Sequence, residues 1–132
     1  MTKALRISMR VAFYLYLAVL AVLCFGSFPG LPAVSEDLFG LPTDKVVHFV
    51  MFFPFPILTF LAYDNFMGNR KEVLVFALIT FLLGCFIAAG TEVGQSLFTT
   101  TRVGDVMDFL ADVVALVSGS AIALLMELRR FR

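Results

Sequence analysis

Four long apolar runs, residues 11–28, 46–63, 73–90 and 105–126, govern what this chain can fold into. Each is close to the roughly 20 residues that carry a helix across a bilayer core about 30 Å thick. Hydrocarbon offers no water to an exposed amide or carbonyl, so runs of this length must bond their own backbone and form helices. The expectation is an all-α, four-transmembrane-helix bundle in which residues 1–132 form a single membrane domain. Composition agrees: 61% of the residues are hydrophobic and 15% charged, and the mean hydropathy is +0.97. A soluble domain of this size has no interior large enough for that much apolar surface. The net charge is zero, so nothing points to nucleic acid as a partner.

Lys and Arg set the expected orientation, because cytoplasmic loops hold the excess of both. With the N-terminus inside, the inner side carries Lys3, Arg6, Arg10, Arg70, Lys71, Arg129, Arg130 and Arg132, and the outer side only Lys45 and Arg102. Eight against two predicts an N-in/C-in multi-pass protein, and an odd number of crossings would destroy the bias. Three basic residues before the first run also suit a secretory signal, but its 18 apolar residues exceed a signal's usual core of about 7 to 15 and no clean cleavage site follows, so it reads as a retained helix.

Two internal features are structural in expectation. Pro54 and Pro56 lack N–H groups, free the carbonyls of Val50 and Phe52, and bend the second helix near its middle. Cys24 and Cys85 fall at different depths on antiparallel helices and read as small buried hydrophobes rather than a disulfide.

Chemistry concentrates at one membrane level. The second helix starts with Asp44, Lys45 and His48, the third ends with Glu92 and Gln95, and the fourth begins Arg102, Asp105, Asp108, Asp112. Asp44 and His48 are i,i+4, Glu92 and Gln95 are i,i+3, and the three aspartates are i,i+3,i+7, so each set shares a helical face. Only residues 113–126 follow Asp112 as apolar chain, too few to span alone, so the fourth helix must carry Asp108 and Asp112 below the surface. A carboxylate there costs at least about 2.5–3.5 kcal/mol unless paired or hydrated.

With His48 neutral, five carboxylates face two cations and leave −3. Such a cluster shares protons, binds a cation, or does both; oxygen ligands with one imidazole suit a hard divalent ion such as Mg²⁺, Ca²⁺ or Mn²⁺, with His48, Glu92, Asp108 and Asp112 as the ligand set. Taken singly, each residue has a plainer role. Asp44 and Asp105 occupy N-cap positions with Asp108 at N3, His48 alone is an ordinary packing residue, and Glu92 and Gln95 suit interhelical hydrogen bonds. Capping does not account for His48, Glu92 and Asp112 arriving at one depth from three helices.

At these residues the sequence resembles the VanZ-like family of bacterial membrane proteins. The resemblance runs from Asp44 to about Gly119 and rests on Asp44-Lys45-x-x-His48-Phe49, Glu92-x-x-Gln95, and Arg102-x-x-Asp105-x-x-Asp108-x-x-x-Asp112. The family usually has Asn at the place of Asp112 and often Gly at that of Ala115. The resemblance implies a four-helix protein of the bacterial cytoplasmic membrane, similar to one associated with low-level teicoplanin resistance, acting on or shielding envelope precursors or lipids at the outer face.

Three functions follow as expectations. The first is an outer-face cleft that binds or modifies an envelope lipid, polyprenyl-phosphate or peptidoglycan-related headgroup through Asp44, Lys45, His48, Glu92, Gln95, Arg102, Asp105, Asp108 and Asp112. The second is a membrane-embedded, metal-assisted enzyme with His48, Glu92 or Asp108 as the catalytic group. The third is a small transporter, disfavoured because no ionisable residue sits near the midplane. Against all three stands a polar zipper that only holds helices together.

Overall fold

The computed structural model describes residues 1–26, 37–38, 40–99 and 104–131. Helix α1 (Lys3–Phe25) is followed by a two-residue antiparallel pairing of β1 (Asp37–Leu38) with β2 (Leu41–Pro42), then α2 (Thr43–Phe52), α3 (Pro54–Ala62), α4 (Arg70–Phe98) and α5 (Val106–Leu128), with 3₁₀ turns at Asp64–Phe66 and Arg129–Phe131. Four segments among the described residues, Lys3–Phe25, Thr43–Ala62, Arg70–Phe98 and Val106–Phe131, are long and apolar enough to cross a membrane. The chain is an all-α, multi-pass membrane protein. α5 is the central helix, packing along α2, α3 and α4, while α1 lies mainly against α3.

The helices begin and end where their caps lie rather than where apolarity begins and ends. α1 starts eight residues before its apolar run because the Thr2 side chain accepts a hydrogen bond from the Leu5 amide (3.3 Å). α4 starts at an Asn69 cap that accepts from the Glu72 amide (3.0 Å). It continues past Gly90 for two more turns, because Thr91, Glu92, Gly94 and Gln95 are buried against neighbouring helices.

The second crossing breaks where the prolines require it. Phe53 still donates its amide to Phe49 O (3.0 Å) and keeps helical dihedrals, φ −56° and ψ −41°, so the chain bends between α2 and α3 without reversing. The Tyr16 hydroxyl from α1 donates to Met51 O (2.5 Å), an added partner for a carbonyl beside the break. On α5, Gly119 faces the bend: a Cβ there would collide with Phe53 O and lie 3.2 Å from the Pro56 ring. Only glycine lets the α5 backbone approach this closely.

Phe13, Leu20, Phe52, Phe55, Ala88, Ala115 and Leu116 form the main core, and Phe60, Met67, Val73 and Ala123 a second one nearer the end where the chain starts. Cys24 lies in the first core and Cys85 against it, both as thiols. The opposite faces, from Val11 and Tyr14 to Phe86, Val114 and Leu125, are exposed apolar surface of the kind that faces lipid.

The end where α1 and α4 start is basic. Asp64, just beyond α3, accepts from Arg6 Nε (2.5 Å) and pairs with the N-terminal ammonium (3.3 Å). These hydrogen bonds, Arg6 foremost, hold its carboxyl below the usual range against the opposing effect of burial. Arg10 binds Ala62 O (3.1 Å) and Asn65 (2.8 Å), and Arg70 reaches Phe131 O (2.9 Å), tying α1, α3, α4 and the chain's last turn together. Arg132 lies outside the described residues.

Candidate functional site

At the other end the start of α2, the last turns of α4 and the start of α5 meet, and nearly all the chemically active residues singled out in the sequence meet there. Asp105 is the N-cap of α5, its carboxylate accepting from the Met107 amide at 2.9 Å. In a capping box the N3 side chain returns to bond the cap's own amide. Here the N3 residue, Asp108, does not: the Asp105 amide donates to Glu92 Oε2 of α4 at 2.8 Å. Glu92 thus completes the cap from another helix, and Asp108 is left for other work. The docking requires Gly104, since a Cβ there would strike Glu92 O and come within 2.6 Å of Ser96 Oγ, which instead accepts from the Gly104 amide at 3.0 Å.

Two layers follow inward. In the outer one the Lys45 ammonium donates to Asp108 (2.9 Å), Asp44 (3.1 Å) and Asp105 (3.3 Å). Asp44 is not an N-cap as its place in the sequence suggests: α2 begins one residue earlier, at Thr43, and Asp44 sits in its first turn and turns to Lys45. The Asp105 carboxyl is held low, first by the Met107 amide and then by Lys45.

The inner layer is buried. His48 Nδ1 lies 3.1 Å from Asp112 Oδ1 and 3.6 Å from Glu92 Oε1, and its Nε2 lies 3.7 Å from Asp108 Oδ2. His48 and Glu92 are 5% and 8% exposed and Asp112 fully enclosed. Three helices therefore deliver these groups to one depth, as their spacing requires: Asp112 is seven residues into α5 from the cap, about 10 Å along the axis. Glu92 Oε1 is buried with no hydrogen-bond partner, an expensive state for a carboxylate oxygen.

Not every candidate joins the cluster. Gln95 turns the other way, donating to Cys24 O at 3.1 Å and so satisfying a carbonyl in the last turn of α1. Arg102 lies outside the described residues. Tyr16, absent from the sequence-derived candidates, is the polar link from α1 to the bend below His48; a tyrosine inside an apolar run was the available signal.

Two grooves open beside the cluster. One, about 310 Å³, lies between α4 and α5 and is lined by Ala89, Glu92, Val93, Ser96, Asp105 and Phe109. The other, about 480 Å³ and almost wholly apolar, lies between α2 and α5 among Leu41, Val46, Phe49, Leu110 and Val114, with Lys45 at its rim.

No family model, curated protein or solved structure matches this chain.

Chemically, the inner layer can hold a proton on an imidazole flanked by carboxylates at both nitrogens, or a cation in its place. His48, Glu92 and Asp112 each offer a ligand atom within 4.8 Å of the others, and so do Asp44, Asp105 and Asp108. The outer trio already surrounds the Lys45 ammonium, which fills the position of an ion.

Proposed function

We propose that this chain is a VanZ-like protein of the bacterial cytoplasmic membrane, oriented N-in/C-in, whose polar cleft at the outer face engages the headgroup of an envelope lipid. The headgroup class is an anionic or polyprenyl-phosphate lipid, or a peptidoglycan precursor carried on one. The observation that carries this reading is Lys45, which lines the almost wholly apolar groove between α2 and α5 and also binds Asp108, the carboxylate next to the buried His48–Glu92–Asp112 cluster. A cluster built only to hold helices together has no use for a groove that accommodates a hydrocarbon chain. The orientation is supported by the basic residues gathered at the opposite end, where Arg6, Arg10, Arg70 and Arg130 are engaged.

Lys45 is already held by three carboxylates, so it can positions a headgroup at the groove mouth but brings little surplus charge to a phosphate. Positive charge must therefore come from Arg102, three residues before the α5 cap, or from a bound cation.

A second reading, a membrane-embedded enzyme, is favoured by one feature: Asp112 on Nδ1 orients the His48 ring as a carboxylate orients a general base. In that case the cleft modifies the headgroup it binds.

The test is lipid retention. The full chain is placed in nanodiscs of phosphatidylcholine containing small amounts of phosphatidylglycerol and a short polyprenyl phosphate, then released and weighed by native mass spectrometry. Selective retention of a phosphorylated lipid, lost on Leu110→Trp in the groove, is the expected result. Indiscriminate retention, or retention unchanged by the groove variant, contradicts the proposal; turnover of a retained lipid favours the enzyme.

A further inference from the structure

We infer that His48, Glu92 and Asp112 form a binding site for a divalent transition-metal ion such as Mn²⁺ or Zn²⁺. Acidic residues near one another are not a metal site by themselves. Here a separate observation points to a ligand: Glu92 Oε1 is buried, lacks a hydrogen-bond partner, and lies 3.6 Å from His48 Nδ1. Its sister oxygen, Oε2, is fixed by the Asp105 amide, so the carboxylate cannot rotate away to find another partner without losing the α5 cap.

The spacing fits. Ligand atoms about 2.0–2.2 Å from one ion lie about 2.8–3.1 Å from each other in octahedral and about 3.3–3.6 Å in tetrahedral geometry. His48 Nδ1 is 3.1 Å from Asp112 Oδ1 and 3.6 Å from Glu92 Oε1, and ligand atoms of all three residues lie within 4.8 Å of one another. An ion at this point takes the Nδ1 lone pair, and a proton held there is released to solvent. The remaining ring proton then sits on Nε2, facing Asp108 Oδ2 at 3.7 Å. Closure of that gap to hydrogen-bond distance would complete the carboxylate–histidine–metal arrangement that fixes a ligating imidazole's tautomer. Asp108 in turn is anchored by Lys45 (2.9 Å). Glu92 thus has a hydrogen-bonded outer partner, His48 has Asp108 close by, and Asp112 is enclosed by packing.

The imidazole and the compact three-ligand set favour Mn²⁺ or Zn²⁺ over Mg²⁺ and Ca²⁺, which take more oxygen ligands or retain their water. Glu92 lines the α4–α5 groove, which gives the ion an approach and leaves room for a further ligand. If that ligand is a phosphate oxygen, the ion supplies the positive charge that the encaged Lys45 does not. This role rests on the headgroup reading; the existence of the site does not.

The test uses the detergent-purified full chain, stripped with chelator and free of added lipid. Mn²⁺ or Zn²⁺ in roughly hundred-fold excess over Kd should raise Tm by about 6–10 °C, with close to one ion retained per chain by elemental analysis. Glu92→Gln and Asp112→Asn should lose both effects, whereas Glu127→Gln, at the other end of α5, should keep them. No retained ion in the wild type, or equal uptake by Glu92→Gln, overturns the inference. Should the variants fail to fold, the spectrum of Mn²⁺ on the wild type decides: coupling to an imidazole nitrogen is expected, and its absence excludes His48 as ligand. Lipid retention is scored separately with chelator present, and retention that persists without metal keeps the headgroup reading while removing the ion from it.

Discussion

Glu92 is the residue on which the most depends. It caps α5 from another helix through one oxygen and faces His48 with the other. The sequence supports its place in a polar face but not this division of labour, because the capping pattern Asp105-x-x-Asp108 is complete within α5 itself. Only the close docking of Gly104 on α4 brings Glu92 into competition for the cap. Replacing that glycine tests the geometry: Gly104→Val should cost about 1–3 kcal/mol of stability, measured by thermal melting, and displace the cap. Gln95 carries the opposite lesson. Its three-residue spacing from Glu92 put it on the same face, yet a long side chain at the α4 end reaches α1 instead. At the basic end, Asp64 makes a separate prediction. Its carboxyl is held low in the folded chain by Arg6, so the stability it contributes is full above the ordinary carboxylate range and is lost as pH falls through its depressed folded value. Asp64→Asn should therefore lower Tm by several degrees at pH 7, and the gap to wild type should close in acid.

Among the elements, the four crossings follow directly from apolar run lengths, and the bend between α2 and α3 from Pro54 and Pro56. What the run lengths miss is the extent of the helices, since α1 and α4 extend well beyond their apolar stretches into residues whose polar groups find partners on neighbours. Hydropathy registers only the hydrocarbon layer, whereas a helix stops where its backbone groups find a cap. The bend has a counterpart that the proline pattern alone does not disclose: Gly119 on α5, closed against Phe53 O. Gly119→Leu should separate α5 from the bend, lower Tm by more than the cavity-neutral Ser118→Ala, and loosen the His48–Asp112 pairing two turns away, readable as increased hydrogen exchange near His48.

For the whole molecule, the division into a basic end and an acidic, chemically active end determines which compartment the cleft serves. With the orientation proposed above, cysteines introduced at Glu36 and Thr100, both outside the described residues but between crossings on the acidic side, should react in intact cells with an impermeant reagent, and one at Asn69 should not. Labelling at position 69 alone would move the cleft to the cytoplasm. The deeper question is whether the cluster works or merely holds helices together. A working site keeps surplus charge at a cost to stability, so relieving that charge should stabilise the fold while destroying function. Gln at position 92 still offers an oxygen to the Asp105 amide while removing one buried negative charge. The most direct measurement is therefore Tm of Glu92→Gln beside wild type in chelator, with lipid retention of both read in the presence of Mn²⁺, at neutral pH. A rise in Tm of about 2–4 °C together with loss of selective lipid retention is expected. A fall in Tm with retention declining in step would mean that Glu92, His48 and Asp112 are structural, and would contradict the account.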